Sequence, residues 1–173
     1  FIGVRVSIAA VNGPEQVVIS GERESVDEAV AVIQSIESKA RCKSLRVSNG
    51  FHSHLMDPIL DEFEGVASGV KYHQPSPHVR LASNVHGRIV NAADGGDDVL
   101  GARYWRDHIR GTVQFFRGMS SVVSCGCRAF IEVGPHPVLL GMSSSFIDGE
   151  ILSLPSMKRV AVVAGGEVNT LLG

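Results

Sequence analysis

Over its first 36 residues the chain changes its apolar rhythm once, and that change decides the class of fold. Val4, Val6 and Ile8 alternate with Arg5, Ser7 and Ala9, the period of a strand with one covered face. Asn12-Gly13-Pro14 interrupts it, because Asn and Gly tolerate positive φ and Pro cannot extend a ladder. Residues 16–20 then read as a second strand that stops at Gly21, which predicts an antiparallel hairpin. Behind the hairpin Val26, Ala29, Val30, Ile33 and Ile36 recur every three or four residues, and Ser25 stands three before Glu28, the spacing of a capping box. The expectation is an amphipathic helix lying by one face on the hairpin. Residues 43–48 return as a strand with Leu45 and Val47 facing the same way. Strand, strand, helix, strand is the second half of a split β-α-β unit. The fold class is therefore α/β, with residues 1–48 an incomplete ferredoxin-like small subdomain.

The remainder alternates helical and extended patterns. Asn49-Gly50-Phe51-His52-Ser53-His54 reads as a polar loop, followed by a helix over 55–67 with Leu55, Ile59, Leu60, Phe63 and Val66 as its apolar face. Pro75-Ser76-Pro77 breaks the chain into an extended segment over 79–83. Residues 91–98, with Gly95-Gly96 and three aspartates, read as a solvated loop, and two helical patterns share 104–123. A buried strand is expected over 129–133 with a loop at Gly134-Pro135, then a helix over 139–146, an extended piece over 151–154, and a Gly-rich tail.

Composition excludes several classes. At 173 residues the chain is one domain, or one plus part of another. Lys and Arg number 16 against 18 for Asp and Glu, so nothing recruits a polyanion and nucleic acid is not an expected partner. No apolar run reaches about 18 residues and no basic segment precedes an apolar one, so neither a membrane span nor a secretory signal is expected. The three cysteines, Cys42, Cys125 and Cys127, cannot form a closed disulfide framework and suit free thiols in a reducing cytoplasm. The chain opens at Phe1, already inside strand pattern, which reads as a fragment of something longer.

The chemistry-bearing residues are few. His52-Ser53-His54 and Cys125-Gly126-Cys127 together offer four soft ligands, but a one-residue gap is not the two-to-four-residue knuckle of structural zinc, so no metal is expected. No Gly-x-Ser-x-Gly elbow occurs; Gly141-Met142-Ser143-Ser144-Ser145 lacks the final glycine and reads as a helix surface. Taken alone, His52 is a loop histidine bonded to a neighbouring carbonyl.

Read in order, five blocks say more: Val6 through Pro14; Val17-Val18-Ile19-Ser20-Gly21; Gly50-Phe51-His52-Ser53-His54-Leu55-Met56-Asp57-Pro58; Tyr104-Trp105-Arg106-Asp107-His108-Ile109-Arg110; and Ile131-Glu132-Val133-Gly134-Pro135-His136-Pro137-Val138-Leu139. The series resembles the acyltransferase domain of type I polyketide synthases, kin to malonyl-CoA:acyl carrier protein transacylases, over that domain's C-terminal portion. Leu154-Pro155-Ser156-Met157-Lys158-Arg159 resembles the linker that follows it. The resemblance implies an incomplete ferredoxin-like subdomain over 1–48, the C-terminal part of an α/β-hydrolase-like large subdomain over 49–153, and a post-acyltransferase linker over 154–173.

The resemblance also implies a reaction. Such domains load an extender acyl group from coenzyme A onto a serine and hand it to the phosphopantetheine thiol of an acyl carrier protein, a ping-pong covalent scheme. The family's catalytic histidine falls on His52, held by a backbone carbonyl that counts to Gly111, although Gly111-Thr112-Val113 departs from the family's acidic-or-amide-then-proline pattern. Phe51, with Asn49 and Gly50 before it, occupies the place where a bulky ring accompanies malonyl and a serine accompanies methylmalonyl. His54 stands where a proline or small residue is usual and is expected as a surface substitution, the alternative being contact with the substrate. The Glu132 to Pro137 block is expected to close the core, its glycine permitting close backbone approach, with His136 in a packing role or, as the alternative, lining the site; Tyr104 and Trp105 are expected to anchor a helix.

What the family has and this sequence lacks is the Gly-His-Ser-x-Gly nucleophile, the oxyanion-hole Gln and the Arg that pairs with the malonyl carboxylate. The chain supplies the base without the serine and is expected to be inactive alone. The partners implied are malonyl-CoA, an acyl carrier protein, other synthase domains and the missing N-terminal half, with no cofactor bound by the chain itself. Two other readings stand beside this one: a non-catalytic chain kept for packing or carrier docking, and a free-standing metal-binding module.

Overall fold

A computed structural model describes residues 5–45, 47–73, 76, 78–90 and 100–157. The expected solvated loop at 91–98, most of the Pro75-Ser76-Pro77 break, Val4 and the tail beyond Met157 fall outside these residues.

β1 (Val6–Gly13) and β2 (Gln16–Gly21) form the antiparallel hairpin, closing through Pro14 and Glu15 with Gly13 opposite Gln16. The alternation does not run true along β1. Val6 and Ala9 are buried, whereas Ile8 is exposed, because the register slips between Ile8 and Ala10. A bulge adds one residue to one strand and turns the following side chains to the other face.

α1 (Arg23–Ile36) starts three residues earlier than a Ser25 cap would set it. Glu22 occupies the cap position; its N–H donates to the Arg5 carbonyl and its carbonyl accepts from Val26 N–H. The helix thus grows directly off the last β1–β2 rung, and Ser25 lies inside the first turn. Val26, Ala29, Val30 and Ile33 are half-buried against the hairpin, while Ile36 is exposed. The strand expected over 43–48 does not form among the described residues there, and Leu45 and Val47 are exposed. A strand exists only by pairing, and no described edge receives this segment.

The helix expected over 55–67 divides at Pro58 into a 3₁₀ segment, His54–Ile59, and α2 (Leu60–Ser68). Three residues per turn rather than 3.6 rotate the early apolar positions off the later face. Leu60 and Ala67 are buried with Met56, and Ile59 and Val66 are exposed. β3 (Leu81–Ser83) pairs antiparallel with β4 (Arg88–Val90) around a turn in which Ser83 Oγ accepts from the N–H groups of Val85 and His86. α3 (Ala102–Arg110) and α4 (Phe115–Ser124) are the two helices of the 104–123 pattern.

β5 (Ala129–Glu132) pairs in parallel with β6 (Leu152–Pro155), and α5 (Val138–Ser143) lies between them in sequence. β5 is not the buried strand expected: Ile131 is 68% exposed, since among the described residues β6 is its one strand neighbour. Leu154 and Pro155, the first residues of the expected linker, complete β6, and Ser156 N–H donates to the Glu132 carbonyl. Nothing approaches Gly134 within reach of an added Cβ, so close backbone approach is not its use; His136 is exposed and packs no core. What holds this block is Glu132, whose carboxylate accepts from the N–H groups of Val138, Leu139 and Leu140 and so caps α5.

The hydrophobic core among the described residues consists of Val6, Ala9, Met56, Leu60, Ala67, Val90, Tyr104 and Phe115. α2 and α3 are joined at its edge by ion pairs of Arg106 with Asp61 and Glu64, each at 2.8 Å. Among the described residues no helix is long and apolar enough to cross a membrane. The three cysteines are free and exposed.

Candidate active site

The loop of residues 50–53 is closed by its own hydroxyl. Ser53, fully buried, donates from Oγ to the Gly50 carbonyl at 2.6 Å and accepts from Leu55 N–H at 3.3 Å, starting the 3₁₀ segment. Gly50 is closely covered: an added Cβ would stand 2.6 Å from Leu55 Cδ1, which would have to turn away, and 3.3 Å from Ser53 Oγ. This tight path drives His52 into the left-handed region, φ 60°, where no other described non-glycine residue lies. Such a conformation costs about 1–3 kcal/mol and persists only where surrounding contacts over-determine it.

Two of those contacts come from the end of α3. The His52 N–H donates to the Ile109 carbonyl at 3.0 Å, and ring Nδ1 lies 2.8 Å from the Gly111 carbonyl oxygen. A carbonyl can only accept, so Nδ1 carries the hydrogen and the lone pair is left on Nε2.

Gly111 is fixed from both sides. Its N–H donates to the Asp107 carbonyl at 2.7 Å, and an added Cβ would sit 2.8 Å from that same backbone oxygen. The next two residues are stitched to β1: Val113 N–H donates to Ala9 and Val11 N–H to the Val113 carbonyl, each at 2.9 Å, with Thr112 Oγ1 bonded to the Ile8 carbonyl. The bulge in β1 falls at these residues.

Rings surround the imidazole. Phe51, 48% exposed, has its centroid 6.5 Å from that of His52. His108 presents its ring edge at 6.1 Å, and burial, followed by the nearby His52 charge, lowers its pKa below the ordinary imidazole value. Asn49 is exposed. An apolar hollow lined by Phe115, Met119, Phe130 and Leu139 does not include His52.

The description "Acyl transferase domain" belongs to the family whose model matches residues 3–164. The chain belongs to that family. Polyketide synthase GfsA of Streptomyces halstedii is 38% identical over 145 residues, which are 84% of this chain and 2% of that protein. Mycoketide-CoA synthase of Mycobacterium tuberculosis is 36% identical over 160 residues, 92% of this chain and 4% of that protein. The acyltransferase domain from the second module of the salinomycin polyketide synthase superposes with a TM-score of 0.79 at 40% identity, covering 90% of this chain and 34% of that one. A malonyl-transacylase solved in complex with its type II acyl-carrier protein gives a TM-score of 0.77 at 25% identity, covering 91% and 48%. The acyl transferase chain thus shares the α/β acyltransferase fold and spans less than half of these solved chains.

Within the acyl transferase chain, sequence reasoning brought together His52, Gly111 and Phe51 but misplaced His54. His54 is three-quarters covered rather than a surface residue, with Nε2 3.5 Å from Glu22 Oε1, so it ties the end of the 50–53 loop to the start of α1. Sequence reasoning also passed over His108, whose place four residues after Tyr104 puts both rings on one helix face.

Proposed function

We propose that this chain is the base-bearing portion of a polyketide synthase acyltransferase. In this reading an extender acyl group, malonyl by preference, passes from coenzyme A through an acyl-serine to the phosphopantetheine thiol of an acyl carrier protein. His52 is the general base, the Gly111 carbonyl orients it, and Phe51, Gly50 and Asn49 bound the acyl group. Residues 1–48 serve as part of a ferredoxin-like small subdomain, 49–153 as part of the large subdomain, and 154–173 as the linker onward. The nucleophilic serine comes from polypeptide outside these 173 residues, which contain no Gly-His-Ser-x-Gly. The carrier protein, the other synthase domains and the remainder of the acyltransferase are the partners, in the cytoplasm, and the coenzyme A thioester enters as substrate.

The observation that carries this reading is the one-sided hydrogen bond of His52, with Nδ1 committed to Gly111 and Nε2 free to accept. In the first half-reaction Nε2 takes the serine proton as the serine oxygen attacks the thioester carbonyl, and returns it to the departing coenzyme A sulfur. In the second, Nε2 takes the proton of the phosphopantetheine thiol as that sulfur attacks the acyl-serine, and returns it to the serine oxygen. A neutral carbonyl fixes the tautomer without adding a full charge. A chain kept only for packing or docking has no use for a histidine held in a strained conformation.

The test is His52→Ala in the polypeptide that contains this chain. Transfer of radiolabelled malonyl to carrier protein is expected to fall by about 10²–10⁴-fold, the range of general-base contributions. Undiminished transfer overturns the assignment.

A further inference from the structure

A single hydrogen bond at Nδ1 does not by itself hold an imidazole still. The torsion that turns a histidine ring about Cβ–Cγ is broad and nearly two-fold, so a second contact is needed to keep one orientation. Two rings stand beside His52. Phe51 is adjacent in sequence and half exposed, whereas His108 is half-buried and itself held. Its centroid lies 6.0 Å from Tyr104 and 5.7 Å from Trp105, within the range of touching aromatic pairs. Tyr104 is buried, and its hydroxyl lies 3.1 Å from Ser83 Oγ, which is also buried. The His108 ring is therefore flanked by Trp105 and by the buried Tyr104, whose hydroxyl reaches the β3–β4 turn.

The same helix turn delivers the other two contacts to His52, from the carbonyls of Ile109 and Gly111. We propose that His108 is a positioning residue for the His52 imidazole, its ring forming the wall that keeps the pinned base in one orientation and one tautomer. This rests on the reading of His52 as the base only for its consequence in transfer; the seating of the ring is measurable without it. The wall has to be uncharged, because a base that takes a proton becomes a cation beside it and like charges at this distance repel. Burial lowers the His108 pKa, the direction that favours the uncharged ring.

The experiment is a long-range proton–nitrogen NMR spectrum of this chain with labelled histidine rings, for the parent, His108→Ala and His108→Phe, with Trp105 fluorescence reporting the fold. The parent is expected to show His52 as a single tautomer protonated at Nδ1. His108→Ala is expected to lose that pattern, the His52 nitrogens moving to averaged shifts, and His108→Phe to restore it by replacing the wall. In the polypeptide that carries out transfer, His108→Ala is expected to lower kcat by up to about 100-fold with KM little changed, the scale of a small misplacement of a catalytic group. A folded His108→Ala whose His52 spectrum matches the parent overturns the proposal, as does a folded His108→Phe with averaged shifts. If His108→Ala unfolds the chain, His108→Phe against His108→Leu decides by the same signature. Loss of the positioning effect and loss of the base assignment remain distinguishable, since the second is read from transfer by His52→Ala and the first from ring nitrogens.

Discussion

Thr112 Oγ1 donates to the Ile8 carbonyl across 2.6 Å, joining residues 104 apart in sequence. With the two backbone bonds between β1 and Val113, it fixes the segment that carries the Gly111 carbonyl, and through that carbonyl the imidazole of His52. The bulge in β1 is thus connected to the orientation of a side chain in another part of the fold.

Thr112→Val removes the hydroxyl and keeps the shape. Because the bond is exposed and water can replace it at Ile8, the expected loss is about 0.5–1 kcal/mol, the low end for a net hydrogen bond. Urea denaturation measures it. Transfer should stay within a few-fold of the parent, since both backbone bonds to Val113 persist; a loss as large as that of His52→Ala would show that the hydroxyl does more than anchor.

Two glycines at the site should respond differently to the same added methyl. At Gly111 the Cβ meets a backbone oxygen of Asp107 at 2.8 Å, which cannot move without unwinding the end of α3. At Gly50 the nearest atom, at 2.6 Å, is the tip of Leu55, which is partly exposed and has room to turn. Gly111→Ala is therefore expected to cost about 1–3 kcal/mol, the range for overpacking, and to displace the carbonyl that holds His52. Gly50→Ala should cost less. Denaturation midpoints of the two variants, with the same ranking in transfer, check it; the reverse order would count against the carbonyl's role.

Much of this was legible in the sequence, for reasons that can be stated. The hairpin, α1, α3 and α4 announce themselves because the apolar residues of each recur at the period of its backbone. The bulge at Ala9 does not, because an extra residue in a strand leaves the residue types unchanged and alters only which way they point. β4 is three residues long, too short for alternation to register, and the strand expected at 43–48 had the pattern without a partner. Pro58 was visible, but its effect was to choose 3₁₀ over α rather than to end the helix. At the site, His52 and Gly111 follow from motif and counting. His108 escapes because it is 56 residues from His52 in sequence and meets it only when the α3 end folds against the 50–53 loop.

In the proposed function Phe51 bounds the acyl group. Its ring flanks that of His52 and remains half exposed, so a smaller side chain opens space without breaking a packed core. Phe51→Ser is expected to raise the methylmalonyl-to-malonyl ratio by roughly 10-fold, the scale of one methyl in a pocket. Competition between the two thioesters reads the ratio directly, and an unchanged ratio would show that the ring does not bound the acyl group.

Glu132 and His108 should leave separate marks on the pH dependence of stability. Burial pushes the Glu132 carboxyl upward, but the hydrogen bonds from Leu140, Leu139 and Val138 outweigh it and hold the group below the ordinary glutamate range. A depressed carboxyl binds fewer protons folded than unfolded, so its stabilising contribution is full above the unfolded value and is lost as pH falls through the folded one. His108, a base whose folded value is also depressed, likewise binds fewer protons when folded, so its neutral form is favoured and stability declines as pH falls below the ordinary imidazole value. The two windows do not coincide. Melting curves of Glu132→Gln against the parent should show a lower Tm at neutral pH that converges on the parent in strong acid, because protonation removes from the parent what the variant already lacks. For His108→Phe the parent should lose Tm relative to the variant on going from neutral to mildly acidic pH, before Glu132 begins to titrate. A Tm difference independent of pH for Glu132→Gln would mean that its carboxylate does not cap α5 in solution.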